Sequence, residues 1–313
     1  MLDHLPAHVT LFEVGPRDGL QNETRLIAAD DKVALIDALS TTGLRAIEVT
    51  SFVNPRWVPQ MADAAEVVRR VQSRREVAFS ALVPNQQGLA AAVAAGLGEV
   101  AVFLSASETH NHKNVNRPVA ASLAALCALV PQARAQGLKV RGYVSTAFGC
   151  PYEGVVDAGR VIELARALHE AGCYQVALGD TIGVANPRQV RDMLAAALRV
   201  LPVPALAVHL HDTRGCALAN ILVALEMGVT TFDTALGGLG GCPFAPGASG
   251  NVATEDVVYM LEQMGVKTGV DLDALVECSR LAAALVGHEM PSKYYRAAMG
   301  TRLCARGTWV SKP

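Results

Sequence analysis

ALAVHLHDTRGCALANILVALEMGVTTFDTAL, residues 205–236, sets out the pattern on which the chain is built. A short apolar run ends in two histidines, a polar turn follows, an Ala-rich amphipathic segment closes on Gly228, and a second β-branched run begins. The short runs read as buried strands. The longer segment reads as a helix whose closing glycine supplies the positive φ of a C-cap. The same unit recurs along the sequence. Strands are predicted at 9–15, 46–52, 77–83, 99–105, 139–146, 175–180, 205–211 and 230–236, each followed by a helical segment. Glycines close helices in TTGL (41–44), AAGL (94–97), AQGL (135–138), HEAGC (169–173) and EMGV (226–229). Eight such β/α pairs in about 250 residues predict an α/β protein, a (β/α)8 TIM barrel. The barrel is expected over about 9–267, with 268–313 as additional C-terminal helices of the same catalytic domain. A doubly wound open sheet is the competing fold, but no G-x-G-x-x-G follows the first strand.

Composition narrows the partners. The 313 residues are 51% hydrophobic and 18% charged, with a net charge of −2, as expected of a compact chain with a large core. Neither that charge nor any Lys/Arg cluster suits nucleic acid, so small molecules are the expected partners. No apolar run reaches the roughly 20 residues of a membrane span. Seven cysteines, scattered and without C-x-x-C spacing, imply neither a disulfide framework nor a structural zinc site. With no apolar or Arg-rich leader ahead of the first strand, a cytoplasmic location is expected.

A barrel should collect its chemistry at the carboxyl ends of the strands. His209 and His211, at i and i+2 of strand 7, share a face and resemble half of a metal site. Alone, such a pair reads more readily as a core histidine beside a loop cap. The other strand ends add Arg17, Asp18 and Gln21 in GPRDGLQNE, Glu48 on strand 2, Tyr143 on strand 5 and Asp180 in GDT. Each has a structural explanation too: a turn at Asp18-Gly19, an Arg17–Glu48 bridge, a helix cap at Asp180. Together they would place several ionisable groups at one mouth, which is costly without a ligand or metal. The glycine-rich stretch 237–251, with Cys242 and Asn251, reads as a mobile lid or as a long loop with an inert cysteine. In SASETHNHKNVNRP (105–118), Lys113 or Asn114 is placed to meet a phosphate, against a solvated-loop reading.

Six strings carry a family resemblance: FEVGPRDGLQNE (12–23), IEVTSFVNPRWVPQMAD (47–63), VRGYVSTAFGCPYEG (140–154), LGDTIGVANP (178–187), VHLHDTRGCALAN (208–220) and GGLGGCPFAPGASGNVATEDVVYML (237–261). They resemble the 3-hydroxy-3-methylglutaryl-CoA lyases, one family of the TIM-barrel metal-dependent lyases and condensing enzymes. The cysteine-bearing loop is the string specific to the lyases; 105–118 departs from them in carrying His110 and His112.

The resemblance implies that Asp18, His209, His211 and Asn251 hold a divalent cation, Mg²⁺ or Mn²⁺, in a retro-Claisen cleavage giving acetoacetate and acetyl-CoA. It gives Arg17 the developing enolate and Cys242 the proton delivered to carbon. The base remains open among Asp18, Glu48, Asp180 and a metal-bound water, and His209 also counts as catalytic. Gln21, Tyr143 and Asn114 join Arg17 as substrate contacts. An acyl-CoA substrate, a homo-oligomer such as a dimer, and a place in leucine degradation or ketone-body formation follow as expectations. Lyases acting on a longer 3-hydroxy-3-alkylglutaryl-CoA, and related aldolases or condensing enzymes, are the alternatives.

Overall fold

The structure is a computed structural model that describes residues 5–71, 76–241 and 250–305. Eight parallel strands close into a barrel in sequence order: β1 (Thr10–Glu13), β2 (Ala46–Ser51), β3 (Ala78–Leu82), β4 (Glu99–Ser105), β5 (Lys139–Ser145), β6 (Gln175–Asp180), β7 (Leu206–Leu210) and β8 (Thr231–Thr234). β1 pairs with both β2 and β8, which completes the ring. The predicted TIM barrel is therefore present. Its strands carry apolar runs because inner packing covers one face and helices cover the other, so nearly every strand residue is buried.

The outer layer consists of α1 (Ala29–Leu39), α2 (Ala64–Val71), α3 (Gln86–Ala95), α4 (Glu108–Val115), α5 (Val119–Ala135), α6 (Ala158–Ala171), α7 (Pro187–Ala197), α8 (Ala217–Glu226) and α9 (Thr254–Gln263). Beyond it lie α10 (Leu272–Val286) and α11 (Lys293–Ala305), the expected C-terminal helices. Asp256 on α9 joins this extension to the barrel, accepting from Ser292 Oγ at 2.8 Å and from the amides of Lys293 and Tyr294. No single described helix is long and apolar enough to cross a membrane.

β1 and β8 fall furthest short of the strands that their sequence pattern predicts. β1 stops at Glu13 rather than Gly15 because Pro16 opens a π-helical turn, Gly15–Gly19, in which the amides of Arg17, Asp18 and Gly19 converge on the Val14 carbonyl. Such turns are rare and concentrate at functional sites. β8 stops at Thr234, and the chain turns at Gly237, whose φ is 63°.

Of the five glycines expected to close helices, Gly96 and Gly43 show what the position demands. Both adopt positive φ, 86° and 94°. A Cβ on Gly96 would meet nothing, whereas one on Gly43 would overlap the Gly269 carbonyl. Gly96→Ala should therefore cost only the left-handed backbone strain, about 1 kcal/mol, and Gly43→Ala at least ~3 kcal/mol. Urea unfolding of the two variants measures the difference; equal losses would contradict this packing.

Candidate active site

A cavity of about 1400 Å³ opens at the carboxyl end of the barrel. Arg17, Asp18, Gln21, Asn114, Tyr143, His209 and His211 all line it, so residues up to 194 positions apart in sequence meet on one wall. The π-helical turn delivers Arg17 and Asp18 as neighbours pointing inward, and their side chains pair directly. Arg17 Nε also pairs with Glu48 Oε1. Glu48 is wholly buried beneath the cavity floor and is not part of its lining. Burial pushes its pKa up, against the opposing charge of Arg17.

Asp180 ends β6 as its place in the sequence suggests, but the backbone claims its side chain. Its two oxygens accept from the amides of Val184 and Ala185, each at 2.9 Å, so it braces the turn after β6. Gly179 and Thr181 line the cavity in its stead. Asp180 is thus not the cap of the next helix, a role that Asn186 fills for α7.

His209 and His211 stand with their Nε2 atoms 3.2 Å apart, and those atoms lie 3.9 and 3.8 Å from Asp18 Oδ2. Burial and the neighbouring His209 push His211 down to about 4, leaving it neutral and able to ligate. Burial would lower His209 as well, but its bond to Asp233 and the charges of Asp18 and Asp233 prevail and raise it. Burial would raise Asp18; Arg17 and both histidines outweigh it and keep the group ionised. Asn251 arrives from the far side of the loop through a bridge between residues 211 and 251. Its amide nitrogen donates to Asp18 Oδ2 at 2.8 Å and to the Leu239 carbonyl at 3.1 Å, leaving its oxygen to offer to a cation.

These donors fit a divalent metal. Ligands about 2.1 Å from a common ion sit roughly 3 Å apart in adjacent positions, close to the spacing of the two Nε2 atoms. Among the described residues, Asp18, His209 and His211 are the group whose donor atoms all lie within 4.8 Å of one another. Cys242 falls outside the described residues. The chain on either side of it is defined: Gly240 and Gly250 touch so closely that a Cβ on Gly250 would overlap the Gly240 carbonyl.

The model of the HMGL-like family matches residues 8–282. The chain belongs to that family. It is 51% identical over 288 residues to the hydroxymethylglutaryl-CoA lyase YngG of Bacillus subtilis, covering 92% of this chain and 96% of that one. It is equally 51% identical to the mitochondrial hydroxymethylglutaryl-CoA lyase of Gallus gallus, over 94% of this chain and 98% of the relative. Among solved structures, the Bacillus subtilis HMG-CoA lyase superposes with a TM-score of 0.93 at 50% identity, covering 94% of this chain and 99% of that one. An HMG-CoA lyase of Acinetobacter baumannii in complex with coenzyme A and 3-methylmalate gives 0.88 at 40%, covering 98% and 97%.

Among the buried charged residues that spacing does not assign to the site, Arg141, Asp233, Glu13 and Glu255 brace it. Glu13, Arg141 and Asp233 are charges within buried stretches of strand and Glu255 lies on the buried side of α9, and a charge at such a position is the signal that a sequence offers. Glu13 takes the amides of Gly15 and Leu236 and the hydroxyl of Thr254; Glu255 takes the Gly237 amide and the Ser279 hydroxyl. They tie the Arg17–Asp18 turn to the turn after β8 and to α9 and α10. Burial raises Glu13 to about 7 and Glu255 to about 8. The folded chain thus keeps protons that the unfolded chain loses near the ordinary value of 4.5, so both groups make stability fall as pH rises from there to about 8. His211 acts in the opposite sense between its folded value of about 4 and its ordinary 6.5, so the difference between variants is the clean measure. Glu255→Gln should flatten the decline of urea midpoint with pH relative to wild type; parallel curves would refute the buried-acid account.

Proposed function

We propose that this chain cleaves 3-hydroxy-3-methylglutaryl-CoA to acetoacetate and acetyl-CoA, a carbon–carbon lyase reaction. The observation that carries the reading is the convergence of Arg17 with Asp18, His209 and His211 on one cavity wall, in a member of a family whose named relatives are lyases of that thioester. Asp18, His209, His211 and the Asn251 oxygen would hold the cation, with Mg²⁺ or Mn²⁺ suited to this mixed oxygen and nitrogen set. When bound, it would acidify the substrate's tertiary hydroxyl and hold it in place.

The remaining roles belong to side chains. Arg17 keeps its positive charge at any working pH, because Glu48 and Asp18 more than offset its burial. With Nε bound to Glu48 and Nη1 to Asp18, its guanidinium plane is fixed, and the cavity-facing edge can meet an enolate oxygen as charge develops there. Glu48 serves in this reading as the group that orients Arg17, since Arg17 and Tyr143 occupy its two oxygens. Gln21, 3.1 Å from Asp18, and Asn114 extend the polar wall toward the rest of the thioester. Cys242 is assigned delivery of the proton to carbon on the family pattern, and leucine breakdown is the role in which we place the cleavage.

Purified protein supplied with Mg²⁺ or Mn²⁺ should release acetoacetate from this thioester. Arg17→Ala should lower kcat by roughly 10²–10³, the usual loss when a donor to a developing oxyanion is removed. Cys242→Ser should lower kcat while leaving Mn²⁺ binding unchanged. A panel of 3-alkyl homologues in the same assay sets the chain length accepted. No acetoacetate with either metal would remove the proposal.

A further inference from the structure

Below the cavity, inside the barrel, lies an ion pair with neither member exposed: Arg141 Nη2 and Nη1 meet Asp233 Oδ1 and Oδ2 at 2.6 and 3.1 Å. Its position follows from the strand registers. Asp233 on β8 stands beside His209 on β7, so the two side chains enter the interior at one level, and Asp233 Oδ2 reaches His209 Nδ1 at 3.1 Å. Arg141 and Tyr143 are i and i+2 on β5 and share the inner face. The guanidinium lies over the rings of Phe12 and Tyr143, 4.2 and 4.9 Å from their centroids, and Nε donates to Gln175 at 3.0 Å.

Proton placement follows from donor chemistry. A carboxylate gripped by two guanidinium N–H groups can only accept, so the proton between Asp233 and His209 resides on Nδ1. His209 must then present the lone pair of Nε2 toward His211 and Asp18. On the other side, Arg141 Nη1 donates to the Tyr143 hydroxyl at 2.7 Å, which turns the phenolic proton toward Glu48 Oε2 at 3.3 Å, and Glu48 Oε1 grips Arg17. One guanidinium thereby sets the orientation of both His209 and Arg17.

We propose that Asp233 and Arg141 are positioning residues: Asp233 fixes the Nδ1–H tautomer of His209, and Arg141 locks that carboxylate and Tyr143 so that His209 and Arg17 face the cavity together. The affinity part of this proposal rests on the cation reading given above; the tautomer part does not. Histidine-selective ¹⁵N NMR of the metal-free wild-type chain, in mildly alkaline buffer and with His209 assigned by its loss in His209→Gln, should show the proton on Nδ1. A proton on Nε2 overturns the proposal, and this measurement does not depend on any Asp233 or Arg141 variant folding.

Mn²⁺ titration followed by electron paramagnetic resonance should show binding about 10–100-fold weaker in Asp233→Asn than in wild type. An Asp233→Asn protein that melts earlier yet binds Mn²⁺ as tightly as wild type overturns the positioning role, since a merely structural pair would behave so. Arg141→Lys, which keeps the charge but not the fork, should weaken Mn²⁺ binding in the same direction and lower kcat more than it raises KM. Unchanged Mn²⁺ binding and kcat in that variant would count against the proposal. A wild type that takes no Mn²⁺ but holds His209 as Nδ1–H supports the tautomer assignment and overturns only the cation reading.

Discussion

The Arg141–Asp233 pair is the constraint around which the interior of this barrel is arranged. Moving two charges out of water costs several kcal/mol each, and only close geometry with every remaining donor satisfied offsets it. Here the offset is nearly complete: Gln175, Tyr143, His209 and two aromatic faces use what the pair leaves over. Space for so large a group comes from small neighbours, since Ala101, Ala177 and Ala207 pack around Tyr143 inside the barrel. An ordinary barrel fills these layers with branched aliphatics. This one trades part of that apolar packing for a polar axis running from His209 to Arg17.

A second polar assembly supports the rim. Glu13 and Glu255 accept backbone amides from turns that begin where β1 and β8 end, and those turns carry the site or lead to it. Backbone amides that leave a sheet must find partners elsewhere, and two buried carboxyls supply them. The π-helical turn carrying Arg17 and Asp18 is thus held from its own carbonyl at Val14 and, through Glu13, from the opposite end of the chain. Axis and rim meet at Arg17, which is clamped by Glu48 from below and by Asp18 at the side.

The sequence disclosed the parts of this design that leave a periodic or local signature. Strand-helix alternation located all eight barrel strands, erring mainly where Pro16 and Gly237 end β1 and β8 early, because an apolar run does not record where a turn takes over. Arg17, Asp18, His209 and His211 could be picked out because strand ends in a barrel converge. Asp180 sits where that logic put it, yet local amides claim its oxygens, and competition from the backbone is not visible in spacing alone. Arg141 and Asp233 lay in plain view as charges within apolar strands. Their partnership spans 92 positions and depends on barrel closure, which no local pattern encodes.

The contact between Gly240 and Gly250 bears on how such an enzyme can diversify. The chain leaves and returns at nearly one point, and the returning strand is locked at once, through the 211–251 bridge and a bond from the Asp212 amide to the Gly250 carbonyl. Asn251 therefore takes its position from β7 and not from the residues preceding it. Insertions or deletions between Cys242 and Gly250 would leave Asp18, His209, His211 and Asn251 in register, so that part of the segment can vary in length while the barrel beneath it keeps its arrangement.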